Sequence, residues 1–396
     1  MKKTKILYLS YTGMNESLGA SQVLSYLFKL STDFDYYLIS LEKSSDWNNT
    51  KKMDLLRKEL IKYNIHWIPL LYKEDKVGKY LNWIRFTKKA FELTKNKKIK
   101  YIHCRSYFPA LSAYFIKKIK PIKYLFDTRG FAFDERVDTG GISRNSFLFK
   151  IFKKYEKLIY LSAAGVNKLS QEGKRTILEN ELFEGGDKVH PITVIPTCVN
   201  LDRFQKSKKN YSNVVKIGYT GNVKGWYDFD QTLKTIKAIG AYVPFHFSIF
   251  NGNQHDYILA KLEEYEIGKD NFSLEKVDFK DMPDKLKDIE ISLFFIRPYF
   301  SRRASAATRM GEYLASGIPI LTNGNDGDHK SIINKYGCGE IIDPNHLENY
   351  DFINIVTQLR KEEISTTCRF VAEKYFSLEK GVEDYKKLYQ LSFFTS

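Results

Sequence analysis

Cysteine is scarce in this sequence, and the few cysteines lie far apart. Cys104, Cys198, Cys338 and Cys368 form no CxxC pair, which excludes a zinc ribbon, a dithiol redox motif and a disulfide framework. This usage fits a reducing compartment, so we expect a cytoplasmic protein. Runs of about 18 consecutive apolar residues are also absent, so the sequence predicts no segment that spans a bilayer.

Common nucleotide and metal motifs are missing as well. The sequence has no GxGxxG after a strand-like run and no glycine-rich loop ending in GK[ST], so neither a dinucleotide fingerprint nor a Walker site is predicted. The seven histidines lack the spacing of metal ligands. Two DxD pairs, Asp228–Asp230 and Asp326–Asp328, leave a metal-bound diphosphate as an alternative, but the first pair opens a predicted helix and capping accounts for it. We therefore expect no metal.

The positive charge is concentrated in one half of the chain. Of 396 residues, 63 are Lys or Arg and 47 are Asp or Glu, which gives a net charge of +16. Residues 1–204 hold 37 basic and 21 acidic side chains, whereas the remainder holds 26 of each. This asymmetry predicts a first domain that faces an anionic partner, a membrane surface or nucleic acid. A solvated lysine-rich surface is the simpler alternative. Nucleic-acid binding is suggested by the charge alone, and no recognisable nucleic-acid recognition module supports it.

Short β-rich runs alternate with helix-length segments from end to end. The predicted strands are Lys5–Ser10, Tyr36–Leu41, His66–Leu71, Tyr101–Arg105, Tyr124–Thr128, Ala164–Leu169 and Thr193–Pro196, followed by Val214–Tyr219, Phe245–Phe250, Phe272–Val277, Ile291–Ile296, Pro319–Thr322 and Glu340–Ile342. Such alternation indicates an α/β protein with parallel sheets. Two series predict two Rossmann-like, doubly wound domains that face each other across a central cleft, at residues 1–204 and 205–377, with the polar stretch Lys206–Asn213 as a linker.

Ligands of an open parallel sheet collect where strands end and helices begin. After the first strand, Gly19 and Ala20 precede a helix predicted over Ser21–Leu30, and there they would allow close backbone approach and offer free amides. After the first strand of the second domain, glycines that include Gly221 flank Lys224, which would place a cation beside exposed amides.

A further helix is predicted over about Ala306–Ala315, where helix-favouring residues prevail until Gly317 ends it. Arg309 and Glu312 are three residues apart, so they share one helical face. An ordinary surface ion pair is the alternative explanation for this spacing.

Several segments resemble family 4 glycosyltransferases, which have the GT-B fold. Thr308–Pro319, continuing to Gly327–Asp328, resembles their donor-site helix. The other similar segments are Ile195–Phe204 (the interdomain segment), Ile217–Asn222 (the next strand and turn), and Gly13–Gln22 and Phe126–Phe131 (loops of bacterial surface-polysaccharide members). The matches occur in order from residue 6 to about 330 and cover most of the chain. The resemblance also implies a C-terminal helix at about 378–396 that packs back onto the first domain.

The resemblance assigns the donor site. Glu312 corresponds to the second Glu of the family's E-x7-E pattern, which hydrogen-bonds the donor ribose, whereas the first Glu is replaced by Ala304. Arg309 would neutralise the donor diphosphate together with Lys224. Many relatives have Arg at the position of Asn222, so Arg302 and Arg303 are candidate substitutes. The implied donor-binding residues are Gly19, Ala20, Gly221, Asn222, Lys224, Thr308, Arg309 and Glu312.

The resemblance also points to catalytic and acceptor residues in the first domain. The family's catalytic-region His, after the fifth strand, is replaced here, and Asp127 or Arg129 would take its place. The implied catalytic residues are Lys224, Arg309, Asp127 and Arg129. Glu16, His103 and Arg105 would lie on the acceptor side, with a structural role as the alternative for His103.

The function implied is sugar transfer from a nucleotide sugar such as a UDP- or GDP-sugar, with retention and without metal or cofactor. The acceptor would be a glycan or lipid-linked saccharide of a surface polysaccharide such as capsule, O-antigen or exopolysaccharide. Basic and apolar residues alternate over Lys79–Phe91 and Phe115–Lys120, which predicts peripheral contact with the anionic inner face of the cell membrane. The alternative for these two segments is that they are core helices with a solvent-exposed basic face. A sugar-nucleotide epimerase or a phosphorylase is the alternative activity.

Overall fold

A computed structural model describes residues 3–179 and 190–394, with side chains at all of these except Lys76 and Lys79. The chain divides into two compact units. Unit 1 comprises Met1–Pro196 together with Leu378–Ser396, and unit 2 comprises Thr197–Ser377. Among the described residues, no helix is both long and apolar enough to cross a membrane.

The described part of unit 1 contains a sheet of seven strands in the order β3-β2-β1-β4-β5-β6-β7. Every neighbouring pair in this sheet is parallel. The strands are β1 Thr4–Ser10, β2 Phe34–Glu42, β3 His66–Leu71, β4 Tyr101–Arg105, β5 Lys123–Asp127, β6 Gly165–Lys168 and β7 Ile192–Val194. The helices are α1 Ser17–Gly19, α2 Ser25–Leu30, α3 Ser44–Trp47, α4 Thr50–Lys62, α5 Lys76–Asn96, α6 Tyr107–Ile119, α7 Ala132–Asp138, α8 Phe147–Ser162 and α9 Gln171–Leu178, with a π-helical turn over Ala20–Leu24 that joins α1 to α2.

Unit 2 contains a six-stranded sheet in the order β10-β9-β8-β11-β12-β13, again with parallel neighbours. Its strands are β8 Val215–Thr220, β9 Phe245–Phe250, β10 Phe272–Glu275, β11 Ile291–Leu293, β12 Ile320–Thr322 and β13 Gly339–Ile341. Its helices are α10 Phe229–Gly240, α11 His255–Glu264, α12 Met282–Leu286, α13 Thr308–Ala315, α14 His329–Tyr336, α15 Phe352–Leu359 and α16 Glu362–Val371. Shorter helical turns cover Lys269–Asn271, Phe300–Ala304, Leu347–Asn349 and Ala372–Phe376.

The C-terminal segment belongs to unit 1. It comprises α17, Leu378–Tyr389, and a π-helical turn over Gln390–Phe394, and residues 395 and 396 of the predicted helix lie outside the described residues. Lys206–Asn213, predicted as a linker, belongs to unit 2, where Lys209 is buried and donates a hydrogen bond to the carbonyl oxygen of Lys287 (2.7 Å).

The α/β class with parallel sheets is confirmed, because nearly every predicted strand lies within two or three residues of an observed one. Continuous apolar runs such as Ile6–Leu9 are buried on both faces, as parallel strands require. In each sheet the strand order reverses once, between β1 and β4 in unit 1 and between β8 and β11 in unit 2. Crevices for ligands form at the carboxyl ends of the strands beside such reversals, so these two edges position the candidate site residues.

Candidate functional site

Arg309, on α13, is a buried cation of unit 2. Its guanidinium lies 3.8 Å above the ring of Tyr227, with Tyr219 and Phe294 at 4.7 and 5.3 Å. Nη2 donates a hydrogen bond to the carbonyl oxygen of Asn222 (3.3 Å), whereas buried Nη1 has no partner among the described residues. Because ring faces rather than a carboxylate hold this cation, its charge stays available to an anion.

Gly221 follows β8 and must be glycine for two reasons. Its φ is +86°, a left-handed conformation, and a Cβ built there would lie 2.7 Å from Nη2 of Arg309. The turn is fixed from β9, because Asn251 Nδ2 donates to the Gly221 carbonyl (2.9 Å) and the Gly221 N–H donates to the carbonyl of Phe250 (2.8 Å). The predicted residues Gly221, Asn222 and Arg309 are therefore brought together.

Lys224 lies on the same loop as Asn222. It is exposed, and Nζ lies 4.0 Å above the ring of Tyr257 on α11. The contact restrains the side chain while the ammonium group remains open to solvent.

The candidate substitutes for an arginine at position 222 differ in placement. Arg302 is buried with its guanidinium 3.9 Å above Trp226, on the loop that also carries Lys224, whereas Arg303 is exposed over Phe300. Ala304 is fully buried. The neighbouring atoms therefore close around a methyl group where the family pattern would have its first carboxylate.

Glu312 lies one helical turn after Arg309, as predicted. Its side chain is half-buried, and burial raises its pKa to about 7 although the charges of Arg309 and Arg203 act to lower it. Arg203 is held by Phe279, whose ring lies 4.0 Å away and whose carbonyl accepts from Nη2 (2.8 Å). Thr308 is the half-buried first residue of the helix.

The two DxD pairs are occupied by local contacts. Asp228 caps α10 by accepting a backbone N–H (3.3 Å), which confirms the predicted capping, and Asp230 pairs with Lys261 Nζ (2.7 Å). In the second pair, Asp326 Oδ2 accepts from the N–H of Ala307 (2.7 Å) just before α13. Asp326 thereby fixes where the helix that carries the site begins.

In unit 1, the helix after β1 begins earlier than predicted, at Ser17. Gly19 lies inside it, and a Cβ there would be 2.0 Å from the Gly13 carbonyl oxygen, so the glycine permits close packing of the loop against the helix. The Ala20 N–H donates to the Glu16 carbonyl (2.9 Å). The N–H of Gly19 lies in the first turn of the helix, where the helix itself provides no carbonyl acceptor.

Glu16, expected on the acceptor side, closes its own loop. Oε1 accepts from the Gly13 N–H (3.1 Å), and Oε2 pairs with Lys43 Nζ (2.6 Å). The carboxylate thus stabilises the turn between β1 and α1.

The adjacent ends of β4 and β5 bring the other predicted residues of unit 1 together. Asp127 Oδ2 lies 3.8 Å from His103 Nε2 and 3.7 Å from Arg129 Nη1. Arg105 Nη1 donates to Thr12 Oγ1 (2.9 Å) at the end of β1. Arg129 has a φ of +58°, a strained conformation for a residue with a side chain.

Asp127 is a buried carboxylate held by neighbouring donors. It accepts hydrogen bonds from Asn167 Nδ2 (2.9 Å) and from Tyr385 Oη of α17 (3.2 Å). Burial alone would raise the pKa of Asp127, but the charge of Arg129 and the contact with His103 lower it to about 2. Burial lowers the pKa of His103, which favours a neutral imidazole. These groups position one another, and Asp127 is 1% exposed.

Several residues at these edges escaped the sequence reasoning. Asn251 directly follows β9, and Asn167 is a polar residue within the buried run of β6, so both carried a signal by position. Arg203 lies in a segment that the resemblance covers. Tyr227 and Tyr385 gave no local signal, because aromatic residues are common throughout this chain.

Comparisons with solved structures identify the architecture. A glycosyltransferase from Rickettsia africae ESF-5 has a TM-score of 0.72 at 18% identity, with 100% of both chains covered. Anabaena HepE, solved with UDP and glucose, has a TM-score of 0.66 at 12% identity, with 97% of this chain and 98% of that chain covered. A putative UDP-N-acetylglucosamine 2-epimerase from Listeria monocytogenes has a TM-score of 0.61 at 12% identity, with 100% and 98% covered. No family model and no curated protein matches the sequence.

The fold is therefore GT-B, the two-domain architecture of many enzymes that act on nucleotide sugars. Two doubly wound parallel sheets and full-length likeness to glycosyltransferase structures confirm the predicted fold class. Because the sequence identities are below 20%, these similarities establish the fold alone.

Proposed function

We propose that this protein is a family 4 glycosyltransferase that moves a sugar from a nucleoside diphosphate sugar to a glycan or lipid-linked saccharide, with retention and without a metal ion. Its place would be in the synthesis of a bacterial surface polysaccharide. The observation that carries the proposal is Arg309: a buried guanidinium with an unsatisfied Nη1 among the described residues, one helical turn from Glu312. A buried donor without an acceptor calls for a ligand that supplies one.

Each group has a defined task in this proposal. The carboxylate of Glu312 accepts hydrogen bonds from the ribose hydroxyls, and Arg309 and Lys224 face the diphosphate. As the bond between the sugar carbon and the diphosphate breaks, negative charge grows on the leaving phosphate, and preorganised cations stabilise it. Each such contact is worth about 3 kcal/mol of transition-state stabilisation.

The transfer step needs no protein base. The acceptor hydroxyl attacks the same face of the sugar that the diphosphate leaves, and the departing phosphate oxygen takes the hydroxyl proton. One carbon–oxygen bond forms as another breaks, and the anomeric configuration is retained. The burial of Asp127 supports this route, because the carboxylate is held by Asn167 and Tyr385.

Nucleotide binding tests the donor site. Millimolar UDP or GDP should raise the thermal unfolding temperature of the full chain, because a ligand that binds only the folded state stabilises it. Glu312→Ala should abolish the shift, and Glu266→Ala, an exposed unit 2 glutamate, should keep it. Absence of any shift or heat of binding with either nucleotide at millimolar concentration would refute the proposal.

The epimerase alternative rests on the Listeria structure among the similar folds. Incubation with a labelled nucleotide sugar separates the two activities. Transfer moves label to an added acceptor and releases the nucleoside diphosphate. Epimerisation converts the sugar without an acceptor, and observing this alone would replace the proposed activity.

Unit 1 offers a surface for the proposed inner-membrane contact. Tyr80 and Ile84 on α5 and Ile119 on α6 are exposed, among exposed lysines that include Lys118. The two helices are neighbours, joined by the contact between the hydroxyls of Thr87 and Ser112 (2.8 Å). Phe86, by contrast, is fully buried, so part of the predicted segment serves the core. Exposed apolar residues among cations suit an anionic lipid surface.

Vesicle sedimentation tests this contact. The full chain should pellet with phosphatidylglycerol vesicles at low salt, and less at high salt, because each lysine near the surface contributes about 1 kcal/mol. A triple change of Tyr80, Ile84 and Ile119 to Ser should weaken binding at least tenfold. The matched triple change of exposed unit 2 residues Tyr242, Leu259 and Ile353 to Ser should not. Equal binding of both variants would contradict the assignment.

A further inference from the structure

At the adjacent ends of β4 and β5, two arginines lie beside one carboxylate, that of Asp127. Arg105 ends β4 and Arg129 follows β5, and the register pairs Arg105 directly with Asp127. Of these two arginines, Arg129 alone lies within ion-pair distance of Asp127 (3.7 Å). Arg105 makes no ion pair with any described residue.

The charges at this edge do not balance. Asp127 contributes one negative charge, while His103 is buried in an environment that favours its neutral form. Arg105 is 8% exposed, its Nη1 donates to the uncharged Thr12 hydroxyl, and its buried Nε has no hydrogen-bond partner in the described parts of the chain. An enclosed cation without a counter-charge is costly, so the arrangement calls for an anion.

The backbone prepares the same place for an anion. Ser106 and Arg129, which follow the adjacent strands β4 and β5, have φ of +77° and +58°. Ser106 is also the N-cap of the 13-residue helix α6, and its side chain makes no capping hydrogen bond. The first amides of α6 therefore lack an acceptor within the helix, and the helix dipole favours negative charge there. Strained residues that cluster in this way mark binding edges.

Parts of this edge remain accessible to solvent. Thr12, Ser106 and Arg129 are half-buried and not sealed. Together they offer a hydroxyl group, a helix start and a guanidinium, with Arg105 directly behind Thr12. A tetrahedral phosphoryl group has oxygens enough to meet several such donors at once.

We propose that the Arg105–Arg129 edge of unit 1 binds a phosphoryl group carried by the second substrate, distinct from the diphosphate of the nucleotide sugar. The description of that substrate as the saccharide acceptor rests on the proposed function. The binding of a phosphoryl group by this edge does not, because it follows from the charges and donors of unit 1 alone.

The test uses methyl phosphate as probe. Titration of the full chain in an Arg309→Met background, which removes the unit 2 cation, should show saturable binding. Arg129→Asn should weaken it at least tenfold, since Asn tolerates a left-handed φ and removes only the guanidinium. Arg129→Lys should recover part of the affinity, and Arg57→Asn, at an exposed arginine of α4, should leave it unchanged. No saturable binding, or equal affinity in the Asn variant and its parent, would overturn the proposal.

A second arm identifies the source of the phosphoryl group. This arm uses the chain that retains Arg309. A saturating concentration of UDP should leave its Arg129-dependent affinity for methyl phosphate unchanged. Displacement of methyl phosphate by UDP would overturn the assignment to the second substrate, because the edge would then hold the nucleotide. Failure of the proposed function would look different: no nucleotide would bind, while methyl phosphate would still bind in an Arg129-dependent way.

Discussion

The carboxyl edges of the two sheets hold their arginines by opposite means. In unit 1, Arg129 is held by the buried carboxylate of Asp127, whose pKa is lowered to about 2. In unit 2, Arg309 is held by three aromatic rings, and the nearby carboxyl of Glu312 has its pKa raised to about 7. The same strand-and-helix topology thus supports one edge with fixed charges and another whose carboxyl titrates near neutral pH.

The difference follows from what surrounds each carboxyl group. Asp127 receives hydrogen bonds from Asn167 and Tyr385, which stabilise its charged form. Glu312 loses water without gaining a comparable set of donors, so burial dominates its pKa. We infer that the fold alone holds the carboxylate of Asp127 in its charged form, whereas the carboxyl of Glu312 is completed by a ligand that donates hydrogen bonds to it.

We expect the largest effect on stability from removing the charge of Asp127 at the unit 1 edge. Asp127→Asn should lower the free energy of unfolding by about 3–5 kcal/mol, because it leaves the guanidinium of Arg129 without its counter-charge. Asp33→Asn, which weakens the exposed pair with Lys386 and the hydrogen bond from the Thr32 hydroxyl, should cost less than about 1 kcal/mol. Chemical denaturation measures both. Similar small losses in the two variants would mean that Asp127 does not anchor this edge.

We expect the next largest effect, on activity, from removing the guanidinium of Arg309 at the unit 2 edge. Arg309→Met should keep the protein folded, since the apolar side chain fits among rings, but should lower kcat/KM for sugar transfer about 100-fold. Lys237→Met, which removes an exposed lysine paired with Glu266, should change kcat/KM less than twofold. Steady-state kinetics with the donor that the nucleotide screen identifies measures both. Nearly equal kcat/KM values would show that Arg309 serves packing only.

A finer comparison isolates the contact between Gly221 and Arg309. Gly221→Ala and Gly225→Ala both force a side chain into a left-handed backbone (φ +86° and +76°), at a cost of about 1–2 kcal/mol each. Only at position 221 would the new methyl meet Arg309, since nothing lies within 4 Å at position 225. Calorimetry should therefore show nucleotide affinity falling about tenfold further in the first variant. Equal affinities would exclude a role for this close approach.

The smallest effect concerns pH. The folded-state pKa of Glu312 is raised from 4.5 to about 7, so its favourable contribution to stability is complete below pH 4.5 and is lost as the pH rises through 7. A ribose that donates to the carboxylate binds the ionised form, so nucleotide affinity should rise about tenfold from pH 6 to 8. Glu312→Gln should remove that component and leave the titration of the ligand itself. An unchanged pH profile would contradict the assigned role.

Sequence patterns were sufficient for the fold and for part of the site. The alternation of apolar strands and helices reports burial that any parallel sheet requires, so the sheets and their loops followed. Arg309 and Glu312 are linked by helical spacing, which is local, and their place on one helical face was predicted. The start of the helix at Ser17 was missed because Gly19 was placed in the loop before the helix, whereas it lies within the helix and packs against the Gly13 carbonyl.

The sequence by itself determined the α/β alternation, the strand ends that bear polar residues, and the helix that carries Arg309 and Glu312, because each depends on neighbours a few positions apart. Only the tertiary structure decided which charges are satisfied. Asp127 meets Tyr385, 258 positions away, and Arg309 meets Tyr219 and Tyr227. The pKa of a buried group and the number of its unsatisfied hydrogen bonds depend on the atoms that replace its water. Only folding of the chain brings those atoms together.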